Sequence, residues 1–209
     1  TWAVHPAPAR RPGPGPLSPS GLGGGHALPA EAMMPEIEAL ARGEAVHRLL
    51  EHLRDAAPGD WPALAAQLLP DFPDPGEILA EAAAVLTAPA LAEVFGPGSL
   101  AEVDIAAPLD ALGGRIVLGR IDRLVVRADR VLAVDFKNNR VVPSRPEEVP
   151  EGILRQMGAY HAAMTLIWPA RRIEAAILWT RAVRLMPLPA DLIGAALLRA
   201  GLDREGAAS

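Results

Sequence analysis

Three charged residues stand in stretches of sequence that are otherwise typical of buried β-strands. Asp122 lies in the segment Gly-Arg-Ile-Asp-Arg, and Asp135 and Lys137 lie in the segment Val-Asp-Phe-Lys. The flanking residues are apolar and largely β-branched, which favours strands. A buried carboxylate or ammonium costs free energy unless it is paired or holds a metal ion. These residue types therefore indicate a divalent-metal site with a lysine beside it.

The two segments are predicted to form a β-hairpin, and the length of its turn decides whether the aspartates meet. If Ala128 and Asp129 form a two-residue turn, Asp122 lies directly opposite Asp135. Lys137 then shares the face of Asp135, because side chains alternate along a strand. A three-residue turn would instead put the two aspartates on opposite faces. In the first register two carboxylates repel each other and require a cation.

The rest of the chain is predicted to supply helices and strands around this hairpin. The predicted helices are 31–55, 61–69, 76–87, 152–167 and 190–200, with one turn at 90–95, and the predicted strands are 100–109, 115–127, 130–142, 173–181 and 182–188. This order predicts a three-layer α/β or α+β domain. Residues 1–30 are rich in proline and glycine and are predicted to be a flexible linker, followed by a folded domain over 31–209.

The composition excludes several classes of protein. The formal charge of −5 and the pI of about 5.5 argue against binding of nucleic acid through overall positive charge. The chain has no cysteine, which excludes disulfides, zinc–thiolate sites and iron–sulfur clusters and fits a reducing cytoplasm. No apolar run is long enough for a membrane span, so no membrane partner is predicted. Because the chain begins with Thr1 in a proline-rich tract, we expect a piece of a longer polypeptide.

Four further residues are candidates for the same site, and each has a plainer structural alternative. Glu102 precedes the hairpin and reaches the site if the strands are neighbours, but otherwise it faces solvent. His47 lies on a predicted helix, where a lone histidine is more often solvated or part of the core. Gln156 and Tyr160, the only tyrosine, share one helix face. They can hydrogen-bond phosphate oxygens or simply pack against the sheet.

Taken in order, these motifs resemble the RecB-type branch of the PD-(D/E)xK nuclease superfamily. They are Gly43-x-x-x-His47, Glu102, Gly119-Arg-Ile-Asp122-Arg, Val-Asp135-Phe-Lys137-Asn-Asn-Arg140 and Gln156-x-x-x-Tyr160. Each motif alone is weak, but their common order and spacing make a specific signal. The resemblance covers about residues 40–190 and is greatest to the C-terminal nuclease domain of AddA-type helicase–nucleases.

The resemblance implies a fold and a set of site residues. The fold would be α/β and restriction-endonuclease-like, with a central mixed sheet flanked by helices and additional N-terminal helices. The implied catalytic residues are Asp122, Asp135 and Lys137, joined by Glu102, and the implied metal ligands are His47, Asp122, Asp135 and the carbonyl of Phe136. Mg²⁺, or Mn²⁺ in its place, would polarise the scissile phosphate and activate a water molecule, with Lys137 assisting. Gln156, Tyr160 and Arg140 would contact DNA.

The resemblance also implies a biological setting. The domain would hydrolyse DNA, as an exonuclease or endonuclease, in bacterial double-strand-break repair and recombination. Single-stranded DNA would be fed to it by a helicase upstream of residue 1, where ATP would be used, and an AddB-like subunit would be the partner. A local groove would attract DNA, and its residues would be Arg120, Arg123, Arg140, Arg145 and Arg155. The alternative is an inactive nuclease-fold domain that docks DNA ends or a partner. The complete set of metal ligands favours the enzyme.

Overall fold

Five helices and five strands make up the part of the chain that the computed structural model describes, which is residues 15–23, 36–72 and 75–207. The helices are α1 (Glu36–His52), α2 (Trp61–Leu68), α3 (Gly76–Thr87), α4 (Glu151–Ile167) and α5 (Ala190–Ala207). The strands are β1 (Ser99–Leu109), β2 (Arg115–Val126), β3 (Arg130–Lys137), β4 (Arg172–Trp179) and β5 (Arg184–Leu188). The predicted elements are therefore present, and the turn predicted over 90–95 is a short 3₁₀ turn at Pro89–Leu91. The predicted helix start at 31 lies outside the described residues.

The strands form a single mixed sheet in the order β1-β2-β3-β4-β5. Neighbouring strands are antiparallel except for β3 and β4, which are parallel. A parallel pair requires a crossover connection, and α4 supplies it. The predicted central mixed sheet flanked by helices is confirmed. Within the described ranges, no helix is both long enough and apolar enough to cross a membrane.

Helices cover the sheet on both faces and make two separate cores. Helices α4 and α5 pack on one face, where Met157 and Ile193 are buried against the sheet. The α1–α3 helices pack on the other face, where Leu49 and Ile78 are buried. Strands β3 and β4 lie between these cores and are covered on both sides, which explains their nearly continuous apolar sequence. A charged side chain in the middle of β3, such as Asp135, is therefore surrounded by protein.

The hairpin of β2 and β3 has the two-residue turn that places the aspartates opposite each other. The N–H of Arg127 donates to the carbonyl of Arg130 at 2.9 Å, with two residues between them. The ladder then runs from Val126↔Val131 to Arg123↔Val134 and ends there. Strand β3 itself ends at Lys137, so the predicted strand over 130–142 is too long. The register is confirmed, and the early end of the ladder is new.

The structure differs from the predicted linker over residues 15–23. Leu17 and Leu22 are buried in the core under α4. The N–H of Leu17 donates to the carbonyl of Ile116, and the carbonyl of Leu17 accepts from the N–H of Leu118, both at 2.8 Å. This edge of β2 is open to the segment because β3 pairs only with residues 123–126. Composition alone does not reveal such a contact, since it depends on an open edge far away in sequence.

Gly119 is the position where this segment approaches the sheet most closely. A Cβ atom there would lie 2.6 Å from the Cγ of Pro19 and 3.0 Å from the ring of Tyr160. We expect Gly119→Ala to destabilise the domain by about 1–3 kcal/mol through overpacking. Adding Pro19→Ala should restore part of that loss, because it removes the nearer obstacle. Urea unfolding of the single and double variants measures both effects.

Gly194→Ala is the matched control, because nothing lies within 4 Å of a Cβ added at that helical position. We expect it to be neutral or to stabilise by up to about 1 kcal/mol, through helix propensity alone. If Gly119→Ala behaved like the control, the packing of Pro19 on β2 would be wrong.

Candidate functional site

The candidate site forms where β2 and β3 stop pairing. The last ladder pair is Arg123 with Val134. The N–H of Phe136 no longer meets the backbone of β2 and donates instead to the Oδ2 of Asp122 at 2.5 Å. A buried backbone donor must find a partner, so the carboxylate substitutes for the missing strand contact. This hydrogen bond fixes Asp122 and leaves its Oδ1 available.

A second irregularity lies in β1, on the other side of Asp122. The β1–β2 ladder pairs Ala101 with Arg123 and Val103 with Ile121, and it is interrupted between these pairs. Glu102 lies at the interruption with a φ of +48°. A left-handed conformation costs a residue other than glycine about 1–2 kcal/mol. Strain of this kind is typical of functional sites, where the surrounding structure holds it in place.

His47 completes a cluster with these two acidic residues. Its Nδ1 lies 3.4 Å from the Oδ1 of Asp122, and its Nε2 lies 3.3 Å from the carbonyl oxygen of Phe136. One ligand atom each from His47, Glu102 and Asp122 lie within 4.8 Å of one another. Since Mg²⁺ binds its ligands at about 2.0–2.1 Å, two ligands on opposite sides of the ion are about 4 Å apart. The three residues therefore fit a divalent ion after only small movements.

The charges in this cluster favour exchange of a proton for a metal ion. Burial lowers the pKa of His47, but the hydrogen bond and charge of Asp122 outweigh it, and the net pKa is raised. Burial, followed by the charge of Asp122, raises the pKa of Glu102. The two oxygen atoms beside the imidazole thus favour its protonated form. A histidine that binds a metal must be neutral, so metal binding would release this proton.

Asp135, which is buried, and Lys137, which is partly buried, form an ion pair next to the cluster. Asp135 is only 2% exposed, and its Oδ2 lies 2.6 Å from the Nζ of Lys137. Burial raises the pKa of Asp135, and the charge of Asp122 adds to that effect. Burial lowers the pKa of Lys137, but the carboxylates of Asp135 and Asp122 outweigh it and the net pKa is raised. The ammonium is therefore stabilised in its charged form.

The identity of Lys137 carries a signal that the motif analysis did not use. It is the only lysine of the chain, which otherwise has 19 arginines as its basic residues. An ammonium is a compact point charge, whereas a guanidinium is a planar fork. The compact ammonium therefore occurs only at this partly buried position beside Asp135, and the chain uses arginine at all its other Lys or Arg positions.

Gln156 and Tyr160 lie inside the protein and connect α4 to the site. The side-chain amide of Gln156 donates to the Oδ1 of Asp135 at 2.8 Å and to the hydroxyl of Tyr160 at 3.2 Å. The Tyr160 hydroxyl donates to the backbone carbonyl of Arg120 at 2.6 Å. Both side chains are buried, and burial raises the pKa of Tyr160. Their contact with DNA stays a prediction, since their partners in the described part of the chain are protein atoms.

The predicted basic groove is not assembled in the structure. Arg123 is buried beside Phe95 and donates to the carbonyl of Leu50 at 3.0 Å, and burial lowers its pKa to about 10. Three other members are engaged with carboxylates: Arg120 with Asp104, Arg145 with Glu148, and Arg155 with Glu151 and Asp203. Arg140 is exposed and lies just beyond β3. Among the described residues, it is the one member of the group that is exposed and has no carboxylate partner.

Strand order, the acidic cluster and the buried lysine together define a domain of the metal-dependent nuclease type. A family model of the PD-(D/E)XK nuclease superfamily matches residues 24–190, and the chain belongs to this superfamily. Nucleases of this superfamily use divalent metal ions, and the cluster of His47, Glu102 and Asp122 is in place for one. The predicted restriction-endonuclease-like fold class is confirmed.

Other comparisons add little to this assignment. No curated protein sequence matches the chain. A solved structure titled "Crystal structure of SSO0001" is 14% identical to the chain, and the match covers 78% of this chain and 72% of that one. Its TM-score is 0.34, so this likeness contributes nothing to the functional assignment.

The cluster predicts that Mn²⁺ stabilises the folded domain. A ligand that binds only the folded state adds about 2.7 kcal/mol at 100 times its dissociation constant. We expect Mn²⁺ to raise the melting temperature of the wild type, and to raise it much less in Asp122→Asn and Glu102→Gln. Asp104→Asn is the matched control, because Asp104 lies on the same strand as Glu102 but pairs with Arg120. Equal Mn²⁺ shifts in all four proteins would place the ion elsewhere.

Proposed function

We propose that this chain is a metal-dependent deoxyribonuclease domain that hydrolyses phosphodiester bonds of DNA. The observation that carries the proposal is that two groups of charged residues lie next to each other where β2 and β3 stop pairing. His47, Glu102 and Asp122 offer ligand atoms for a divalent ion. The ion pair of Asp135 and Lys137 lies beside them, on the strand that Asp122 contacts.

Within this proposal, the residues of the cluster hold the ion and orient it. When bound, a divalent ion polarises the scissile phosphate and lowers the pKa of a water molecule. Asp122 is fixed by the N–H of Phe136, so it does not need to be ordered when the ion arrives. The carbonyl of Phe136 faces the Nε2 of His47 and is a further oxygen ligand available at this point.

Lys137 contributes a fixed positive charge at the site. Its ammonium contacts Asp135 at 2.6 Å and lies 3.5 Å from the Oε1 of Gln156. Preorganised charge in a buried site stabilises charge that develops on the phosphate, without the cost of reorganising solvent. Asp135 holds this charge in position and, according to the motif, also serves as a metal ligand. In the structure its described partners are Lys137 and Gln156.

The more specific part of the proposal, which concerns the type of nuclease, its metal ion and its substrate, rests on the motifs. Their order and spacing support a RecB-type nuclease domain of an AddA-like helicase–nuclease, which takes Mg²⁺ and degrades single-stranded DNA at double-strand breaks. In this proposal the domain works in the bacterial cytoplasm with a helicase portion and an AddB-like subunit. The chain has Asn138 where the RecB-type motif has threonine, and asparagine retains the ability to donate a hydrogen bond.

A cleavage assay on single-stranded and plasmid DNA, with Mg²⁺ or with EDTA, tests the activity. We expect Asp135→Asn and Lys137→Ala to lose at least about 100-fold in turnover, the order of magnitude for loss of one electrostatic stabiliser. Lys137→Arg should also be impaired, because the guanidinium does not fit a site built for a point charge. Asp129→Asn, in the exposed turn of the same hairpin, is the control and should cleave normally.

Near-normal cleavage by Asp135→Asn and Lys137→Ala would reject this active site. If the folded wild type bound DNA but did not cleave it in either metal ion, the alternative of an inactive nuclease-fold domain would be supported instead. Far-ultraviolet circular dichroism of each variant distinguishes loss of chemistry from loss of fold.

Gln156 allows a test between positioning and DNA contact. Its amide bonds to Asp135 inside the protein, so Gln156→Ala should lower turnover by roughly 10-fold or more while DNA affinity changes little. Thr165→Ala, on the exposed side of α4, is the control for the helix itself. Single-strand affinity measured in Ca²⁺ and cleavage measured in Mg²⁺ separate the two roles. A fall in affinity as large as the fall in turnover would support the direct DNA contact.

A further inference from the structure

Two arginines leave the sheet beside the candidate site. Strands β3 and β4 are parallel, and Lys137 lies opposite Trp179 at their ends. Arg140 follows β3 and Arg181 follows β4, so the chain carries both arginines past the same edge of the sheet. In α/β folds, ligands bind beyond the carboxyl ends of parallel strands.

A third arginine is tied to this edge through a shared carboxylate. Glu81, on α3, accepts from Arg42 at 2.8 Å with one oxygen and from the hydroxyl of Thr180 at 2.6 Å with the other. The same hydroxyl lies 3.3 Å from the carbonyl of Lys137. Arg42 is therefore linked to the last residue of β3 through Glu81 and Thr180.

The protein neutralises the positive charge at this edge only in part, because Arg42 pairs with Glu81 and Glu77 but, within the described ranges, the other two arginines do not. Burial lowers the pKa of Arg181, and the like charges of Arg42 and Arg140 lower it further, against the opposite effect of Glu81 and Glu77. Among the residues that the structure describes, neither Arg140 nor Arg181 forms an ion pair. The Nε atoms of Arg42 and Arg181 are buried without a hydrogen-bond partner in the same part of the chain. Crowded like charges are unfavourable unless an anion joins them.

Nine other arginines in the described part of the chain, Arg42 among them, pair with a carboxylate, unlike Arg140 and Arg181. Arg120, Arg130, Arg155, Arg172 and Arg199 each lie against a carboxylate at 3.2 Å or less. Their charge is compensated within the protein. Arg140 and Arg181, by contrast, leave positive charge at the ends of β3 and β4, and Arg140 follows Lys137 by three residues.

We propose that Arg140 and Arg181 form a phosphate-binding subsite for the DNA backbone next to the scissile bond, with Arg42 held at the same edge by its ion pair with Glu81. The proposal rests on the proposed nuclease function for its ligand, a polynucleotide. Guanidinium groups suit phosphate because their N–H donors match its oxygen atoms in pairs. The subsite lies beyond β3, on the side away from Asp122. It would hold a neighbouring phosphate while the cluster of His47, Glu102 and Asp122 engages the reacting one.

The salt dependence of DNA binding tests the subsite without requiring cleavage. The affinity for a fluorescein-labelled single-stranded oligonucleotide is measured by anisotropy in EDTA over a range of KCl concentrations. For single strands, each phosphate contact contributes about 0.7 to the slope of log affinity against log salt. We expect Arg140→Gln and Arg181→Gln each to reduce this slope by about 0.7 and to weaken binding roughly two- to tenfold.

Arg172→Gln is the matched control, because it removes the same charge from the other end of β4. Its guanidinium is exposed and lies 3.0 Å from Glu174. Slopes in Arg140→Gln and Arg181→Gln that equal those of the wild type and the control would overturn the subsite. A slope change in both variants but not in the control would support it. Melting temperatures confirm that each variant is folded.

Two further measurements complete the test. One separates the subsite from the nuclease proposal, and the other distinguishes a backbone phosphate from a terminal one. Wild-type cleavage in Mg²⁺ tests the nuclease alone, so normal cleavage with unchanged slopes would reject only the subsite. Changed slopes without any wild-type cleavage would reject only the nuclease. Oligonucleotides with and without a terminal phosphate are compared in both variants. A slope change in both oligonucleotides supports the backbone phosphate, and a change confined to the phosphorylated one overturns it in favour of a chain end.

Discussion

The separation of β2 from β3 is the constraint on which the site depends. Had the ladder continued past Arg123 and Val134, the N–H of Phe136 would have bonded to the backbone of β2. Because it ends, that donor takes the carboxylate of Asp122, and a gap opens between two central strands. His47 of α1 and Gln156 of α4 then reach the end of β3 from different helices. One broken strand pairing therefore admits side chains from both helical layers.

The charges around this gap are compensated in two different ways. The counterion of the buried Asp135 is the ammonium of Lys137, which lies 2.6 Å away. Asp122 and Glu102 have His47, whose charge depends on a proton. The imidazole can exchange its proton for a divalent ion, whereas the raised pKa of Lys137 favours its charged form. Lys137 thus supplies a lasting positive charge, and His47 supplies one that a metal ion can replace. A reaction that uses both a cationic side chain and a metal ion needs this combination.

The sequence predicted what depends on short-range pattern. Of the two hairpin registers that the sequence left open, the one with a two-residue turn is observed, and α3 was predicted at its observed bounds, because both depend on neighbouring residues. The end of β3 was missed because the residues after Lys137 include Val141 and Val142, which are β-branched. The packing of Leu17 was missed because it depends on an open strand edge about a hundred residues away. Local periodicity contains no information about such edges.

The side chains of the site were predicted by type but not by environment. Gln156 was placed correctly on one helix face with Tyr160, yet the sequence did not show that this face turns inward. The basic groove failed for a related reason. Whether an arginine is free depends on its partner, and the partner of Arg155 includes Asp203 from the last helix. Burial and ion pairing are properties of the tertiary fold, so counting basic residues along the chain overestimates the charge that a ligand meets.

This distinction explains how an acidic protein can be built to engage a polyanion. At physiological ionic strength the field of an exposed charge decays over about 8 Å, so the formal charge of −5 says little about any one surface. What a phosphate meets is the local excess that remains after internal pairing. In the described part of the chain, Arg140 and Arg181 retain that excess beside the strand that carries Asp135 and Lys137. Under the proposed function, the same edge of the sheet would supply both attraction and chemistry, and the acidic remainder of the surface would disfavour DNA elsewhere.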